Sequence, residues 1–175
     1  SNQFLISAQG PASLSFNEFN PIFNRNGATV QLSTLVGNDD TFAGEGVFSG
    51  IADKFSWSFG ASAFTTDGWR ENADQDDDIV NAFAQLELTY RTSIQAEFKY
   101  RDLENGDLQL RFFKDDFFST LEEDEETHTF RLGFRHSFTP NSTLIGNFQY
   151  SDEDFEVRAD PVPGVVKLDV EGDDD

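Results

Sequence analysis

The chain has no cysteine and no methionine, and nowhere does it hold a long uninterrupted apolar run. Without thiols there is neither a disulfide framework nor a thiolate metal site. Without 18 or more consecutive apolar residues a membrane-crossing helix is excluded. The mean hydropathy of -0.50 resembles that of a water-soluble protein. It does not exclude a membrane barrel, whose strands dilute their apolar residues by alternating them with polar ones. Cations are scarce: 12 Lys and Arg stand against 33 Asp and Glu, a formal charge of -21 that would repel nucleic acid phosphates. No phosphate loop, dinucleotide fingerprint or histidine cluster with metal-ligand spacing is present. There is no initiator Met and no signal-peptide pattern at Ser1, so a mature form or an excised piece is expected.

What is plentiful is phenylalanine, 20 residues against 2 Trp and 3 Tyr, a bias toward sheet over helix. The stretch from Ile79 to Arg101 shows how it is used. Ala82, Ala84, Leu86, Leu88 and Tyr90 share one parity, and Asn81, Gln85, Glu87 and Thr89 the other. After Arg91-Thr92-Ser93 the alternation resumes, with Ile94, Ala96, Phe98 and Tyr100 apolar and Gln95, Glu97, Lys99 and Arg101 polar. Period two over two arms of about 10 to 12 residues predicts a hairpin whose strands are long enough to cross a bilayer at a tilt.

The same rule predicts strands at 28–37, 41–51, 54–64, 127–138 and 143–150, with weaker candidates at 3–9, 12–19, 107–113 and 165–170. The connections alternate between short ones, such as 52–54, 91–93 and 139–142, and mostly long acidic ones at 65–78, 102–126 and 151–164. Those segments, with 38–41 and the tail, hold 28 of the 33 acidic residues, which places the acids in connections rather than in strands. Successive connections of an antiparallel meander lie at opposite ends, so one trimmed rim and one looped rim are expected. The fold class is therefore all-β, an antiparallel up-and-down meander of long strands forming a transmembrane β-barrel or a section of one. One domain spans 1–175, with a lead-in at 1–11, strands over 12–160 and an acidic tail at 161–175. A section of a larger barrel is favoured over closure as eight strands.

In that arrangement Glu87, Glu97, Lys99, Arg101, Arg131 and Arg135 are lumen-facing candidates, either setting pore selectivity or forming a cross-strand ion-pair ladder. Phe55, Trp57, Tyr90 and Phe138 fall toward the short turns, and Phe64, Tyr100, Phe130 and Tyr150 toward the loops, as two interfacial aromatic girdles. Asp74, Asp76, Asp77 and Asp78 offer hard oxygen ligands for Ca2+, although no acidic segment has EF-hand spacing. No other cofactor is expected. His136, near a turn with Phe134 and Phe138, reads as an interfacial ring, and nothing marks a nucleophile, base and orienter, so no enzyme is expected.

NEFNPIFNRNG (17–27), TTDGWRENADQDDDIVNAFAQ (65–85), GDLQLRFFKDDF (106–117) and RLGFRHSFTPNSTLIGNFQY (131–150) together resemble the barrel part of large bacterial outer-membrane proteins, similar to TonB-dependent receptors and porins. Some of those carry tetratricopeptide repeats ahead of the barrel. The resemblance implies an outer-membrane location, lipid and lipopolysaccharide as partners, and a role as pore, receptor or anchor. No plug domain, TonB-binding box or helical repeat is evident. The alternative is a secreted acidic β protein: a lipocalin-like carrier with its apolar face inward, or a calcium-dependent surface assembly unit.

Overall fold

The computed structural model describes residues 26–109 and 117–159 in full and the backbone of 170–173. Within them the chain is a single antiparallel meander of eight strands in the order β1 to β8, each bonded to its neighbours in sequence. These are β1 (Gly27–Val36), β2 (Phe42–Ala52), β3 (Phe55–Thr66), β4 (Gln75–Thr89), β5 (Thr92–Asn105), β6 (Leu121–Thr139), β7 (Ser142–Ala159) and the short β8 (Val170–Asp173). β1 and β8 do not pair, so closure as eight strands is not seen and the sheet is open. The candidates at 3–9 and 12–19 lie outside the described residues, as do most of 107–113 and all but the last residue of 165–170.

The turns explain the connectivity. Asp53-Lys54, Tyr90-Arg91 and Pro140-Asn141 are two-residue connections at one rim, with Asp53 at φ 53° held through Asn26, which donates to its carboxylate at 2.9 Å and accepts from its N–H at 2.7 Å. At the other rim the connections span 37–41, 67–74, 106–120 and 160–169. The trimmed and looped rims expected from the sequence are both present. The strands are longer than expected, however. β5 runs on to Asn105, β6 starts at Leu121 and β7 continues to Ala159, so many acids assigned to connections stand in strands. Their backbone is held by the ladder of neighbouring strands, which overrides their weak strand preference.

The burial pattern is inverted relative to a soluble domain. Among the described residues only Ala43, Val47, Ala73, Ile79 and Phe83 are buried apolar ones, whereas ten polar or charged ones are buried. On β3, Ser56, Ser58 and Ser62 are buried while Phe55 and Phe59 are exposed. The hairpin of β4 and β5 repeats this: Asn81 and Gln95 are 2% and 3% exposed, against 38% for Leu86 and 42% for Phe98. No second layer of described elements covers either face, so the buried polar face is the concave one, closed over by the sheet's own curl, and the apolar face is convex. Two glycines serve that curl. A Cβ on Gly50 would meet the Trp57 ring at 2.5 Å on the convex side, and one on Gly133 would meet Gln95 Cγ at 2.6 Å on the concave side.

The hairpins are also staggered. Take the row Phe55, Leu86, Ile94, Phe134 and Gly146, which register places side by side. The Ala52–Phe55 turn closes on that row, the Thr89–Thr92 turn two to three residues beyond it, and the Thr139–Ser142 turn four to five beyond it. A step of roughly 2.25 residues per hairpin is about 7.4 Å of rise over about 9.6 Å of sheet width. The turn rim is level only if the strands lean by about 38°, within the 35–45° of a closed barrel.

Candidate functional site: the concave wall

The concave face is built of hydroxyl, amide and charged side chains in register. One row reads Ser58, Phe83, Glu97, Arg131 and Gln149, and the next toward the loops Gly60, Asn81, Lys99, Thr129 and Ser151. A third carries Ser62, Ile79, Arg101 and Thr127. Glu97, Lys99, Arg101, Arg131 and Arg135 thus stand together on the β5–β6 part of this wall, as their parity predicted. Glu87 shares the face nearer the turns. β1 to β3 contribute Glu45 as their one charged concave residue and are otherwise hydroxyl, amide or apolar.

The ion pairs are specific. Arg101 holds Asp77 by two hydrogen bonds of 2.9 Å each and lies 4.0 Å from Glu125. Arg131 Nη1 lies 3.5 Å from Glu97 Oε2, whose side chain is only 6% exposed. The ladder reading is realised at these two places. Asn81 went unnoticed in the sequence, although its parity marked it. Among the described residues neither its Oδ1 nor its Nδ2 has a hydrogen-bond partner, and it is buried directly across from Lys99. A buried amide left without partners costs about 1–3 kcal/mol, and water is the partner such a group ordinarily takes.

The aromatic candidates take the opposite face. Phe55, Trp57, Phe130 and Phe138 are convex, as are Tyr100 and Tyr150, with Phe55 and Trp57 stacked at 5.7 Å between ring centroids. Tyr90 sits in the two-residue turn, its ring against Arg91. Phe64 is a correction: it shares the parity of the buried serines of β3 and so belongs to the concave side. His136 is convex, bonded to Thr92 Oγ1 at 2.9 Å and edge-on to Phe138 at 4.6 Å. His128 pairs with Glu126 at 3.0 Å beside the Tyr100 ring.

Between these rings Ala84, Ala96 and Gly146 leave a convex apolar groove of 590 Å³ walled by Leu86, Ile94, Leu132, Phe134 and Phe148. Above the apolar band the convex face turns acidic in two cross-strand rows, Asp78, Asp102, Glu126 and Asp154, then Asp76, Glu104, Asp124 and Glu156. This division also breaks up the acids grouped for Ca2+. β4 begins at Gln75, so its alternation sends Asp76 and Asp78 outward and Asp77 inward onto Arg101, while Asp74 stays in the connection. Among the described residues no three carboxylates or histidines are placed to share a metal ion.

The looped rim holds a node that sequence reading missed. Asp107, wholly buried, accepts from the N–H groups of Gln109 and Phe118 at 3.0 and 2.9 Å and lies 3.4 Å from Arg70 Nη2. Asn72, at φ 56°, donates to the carbonyls of Phe118 and Leu121, so the 67–74 and 106–120 connections are stitched together. The only hint was Gly68 and Asn72 flanking a single arginine. No protein-family model, curated protein or solved structure matches the chain.

Proposed function

We propose that this sheet is wall of a transmembrane β-barrel of a bacterial outer membrane, enclosing a polar, water-filled lumen that acts as a passive pore. The observation that carries the reading is the inversion of the two faces: serine, asparagine, glutamine and glutamate are buried while phenylalanine and leucine are exposed. In water the exposed Phe98, Phe130, Leu132, Phe134 and Phe148 would form an apolar patch far beyond what a soluble monomer tolerates. In hydrocarbon they face a matching solvent, and the polar face keeps water inside.

The dimensions agree. Along β6 the convex apolar band runs from Phe138 to Phe130, about 26 Å of strand and about 21 Å once the lean is included. With the row of His128 and Tyr100 it reaches about 26 Å, close to the band of about 25 Å on outer-membrane barrels. Above it the acidic rows meet the polar headgroup zone, where lipopolysaccharide is the expected neighbour. A lipocalin-like carrier would need the apolar parity inside, and the calcium-dependent assembly unit would need acids that converge.

The test is extraction and labelling. The protein should leave membranes only with detergent and migrate differently on gels before and after heating. A lipid-soluble photoreagent should label Phe98 and Leu132 but not Gln95. A monodisperse, detergent-free monomer would overturn the reading.

A further inference from the structure

The convex groove lies close to the turn rim, where the charge of the outer surface changes sign. Ala84, Ala96 and Gly146 are its low points, set among the larger Leu86, Phe134 and Phe148. They occupy the row on which the Ala52–Phe55 turn closes and the next row, about 7 Å beyond it. Phe55, in the wall of the groove, directly follows Lys54 in the chain. The lean of the strands levels the turn rim, so Arg91 stands at the same height as Lys54. The acid in these short turns is Asp53, whose carboxylate accepts from Asn26. Among the described residues the exposed Lys54 ammonium meets no carboxylate, and the Arg91 guanidinium reaches the Phe138 carbonyl at 3.5 Å and the Tyr90 ring. From the turns to the row of Phe130 the convex face of β1 to β7 carries no carboxylate; its acids begin with Asp152 and the row of Asp78.

We infer that the groove is a binding site for an anionic diacyl phospholipid of the turn-side leaflet, one acyl chain lying in the groove and the phosphate held by Lys54 and Arg91. Left empty in hydrocarbon, the groove would forfeit the dispersion contacts of its walls, and apolar walls hold no water. A flexible chain fills it, and the two cations select the headgroup above it. The opposite leaflet is no match, because there the convex face presents its acidic rows. The site rests on the barrel reading above, of which it names a lipid partner.

Trp57 reports on the groove, being stacked on Phe55 and next to Ala84 in register. In a Trp69→Phe background it is the one tryptophan left. The protein is refolded into phosphatidylcholine vesicles in which a small fraction of one lipid is brominated on its acyl chains. Brominated phosphatidylglycerol should quench Trp57 as though it bound about fivefold more tightly than brominated phosphatidylcholine, the preference that one cation near an anionic headgroup supplies. Lys54→Gln with Arg91→Gln should bring the two lipids to parity, whereas Lys54→Arg with Arg91→Lys should keep the preference. Ala96→Leu, which fills the groove, should lower it. Heat-modifiable migration identifies the variants that fold, and Lys54→Gln alone replaces the double variant if that one does not. A monodisperse, detergent-free monomer that never enters vesicles overturns barrel and site together. A folded barrel whose Trp57 is quenched equally by both lipids, or a preference untouched by removing the charges or filling the groove, overturns the site alone.

Discussion

At the scale of single residues, Gly133 and Asp107 show two ways in which side chains set this structure. Gly133 leaves the concave side open just where Gln95 crosses it, so Gly133→Ala drives a methyl group to 2.6 Å from Gln95 Cγ. Overpacking of that kind costs about 1–3 kcal/mol, and urea unfolding in lipid vesicles should show a loss in that range. A second substitution, Gln95→Ala in the same background, should recover most of it; no recovery would mean that the clash is not the cause. Asp107→Ala removes the acceptor of two backbone N–H groups and the carboxylate beside Arg70, whose 7% exposed side chain keeps only the carbonyls of residues 107 and 109 as oxygen partners among the described residues. Leaving a buried charge without its partner costs about 3–5 kcal/mol, and here that loss falls on the connections, not the sheet. Limited proteolysis should then cut between 106 and 120 many times faster while the β-sheet circular dichroism is retained. An unchanged cleavage rate would show that the node does not order the rim.

Among the strands, the alternation of β3 to β7 makes opposite predictions for adjacent positions. Leu132→Arg puts a charge in the middle of the convex band and should cost about 2–4 kcal/mol in a bilayer, whereas Phe138→Arg at the turn end should cost about 0–1 beyond the lost ring. Unfolding in vesicles reads both, and equal costs would argue against a depth gradient. The acidic extensions make a pH prediction. The Asp124 carboxylate next to Glu104, then partial burial, then Asp102, Asp76 and Glu122, push the Glu104 carboxyl above its ordinary 4.5. Because the folded state holds that proton more tightly, the repulsion is absent below the ordinary value and grows as pH rises through the raised one. Carbon NMR of Glu104 should titrate above 4.5, and Asp124→Asn should bring the midpoint back down. These elements also mark the limit of what the sequence discloses. Period two is a local signal, so the faces of β3, β4 and β5 could be read directly from Ser56 to Phe59 and from Asn81 to Leu86. From Glu122 to Glu126 every residue is acidic, so no contrast in hydropathy exists and the strand is visible only through its neighbours. Site membership was legible for Glu97, Lys99 and Arg131. The contacts among them were not, because register depends on turn geometry, and a two-residue Tyr90-Arg91 turn with a bulge after Glu87 fixed it.

On the scale of the molecule, both flanks of the sheet are open among the described residues: β1 has no neighbour beyond β2, and β8 meets β7 only from Asp154 to Val157. Among the described residues nothing pairs with the outer side of β1 along its ten residues, and Leu32 is 81% exposed. Within hydrocarbon each such group costs several kcal/mol, so in a bilayer that edge must be covered. Hydrogen exchange should therefore show the β1 amides that point away from β2 unprotected in mild detergent and protected after transfer to vesicles; equal exchange in both would mean that the edge never enters hydrocarbon. The strands also differ greatly in length, 10 residues in β1 against 19 and 18 in β6 and β7. Once the lean of the strands is allowed for, nearly all of that excess emerges on the looped side. If the sheet is wall of the barrel proposed above, its mouth is cut on a slant, with a low sill along β1 and β2 and a tall acidic parapet along β6 and β7. Such a mouth would turn away a bulky particle approaching from the parapet side by shape and charge, and would admit a small solute over the sill.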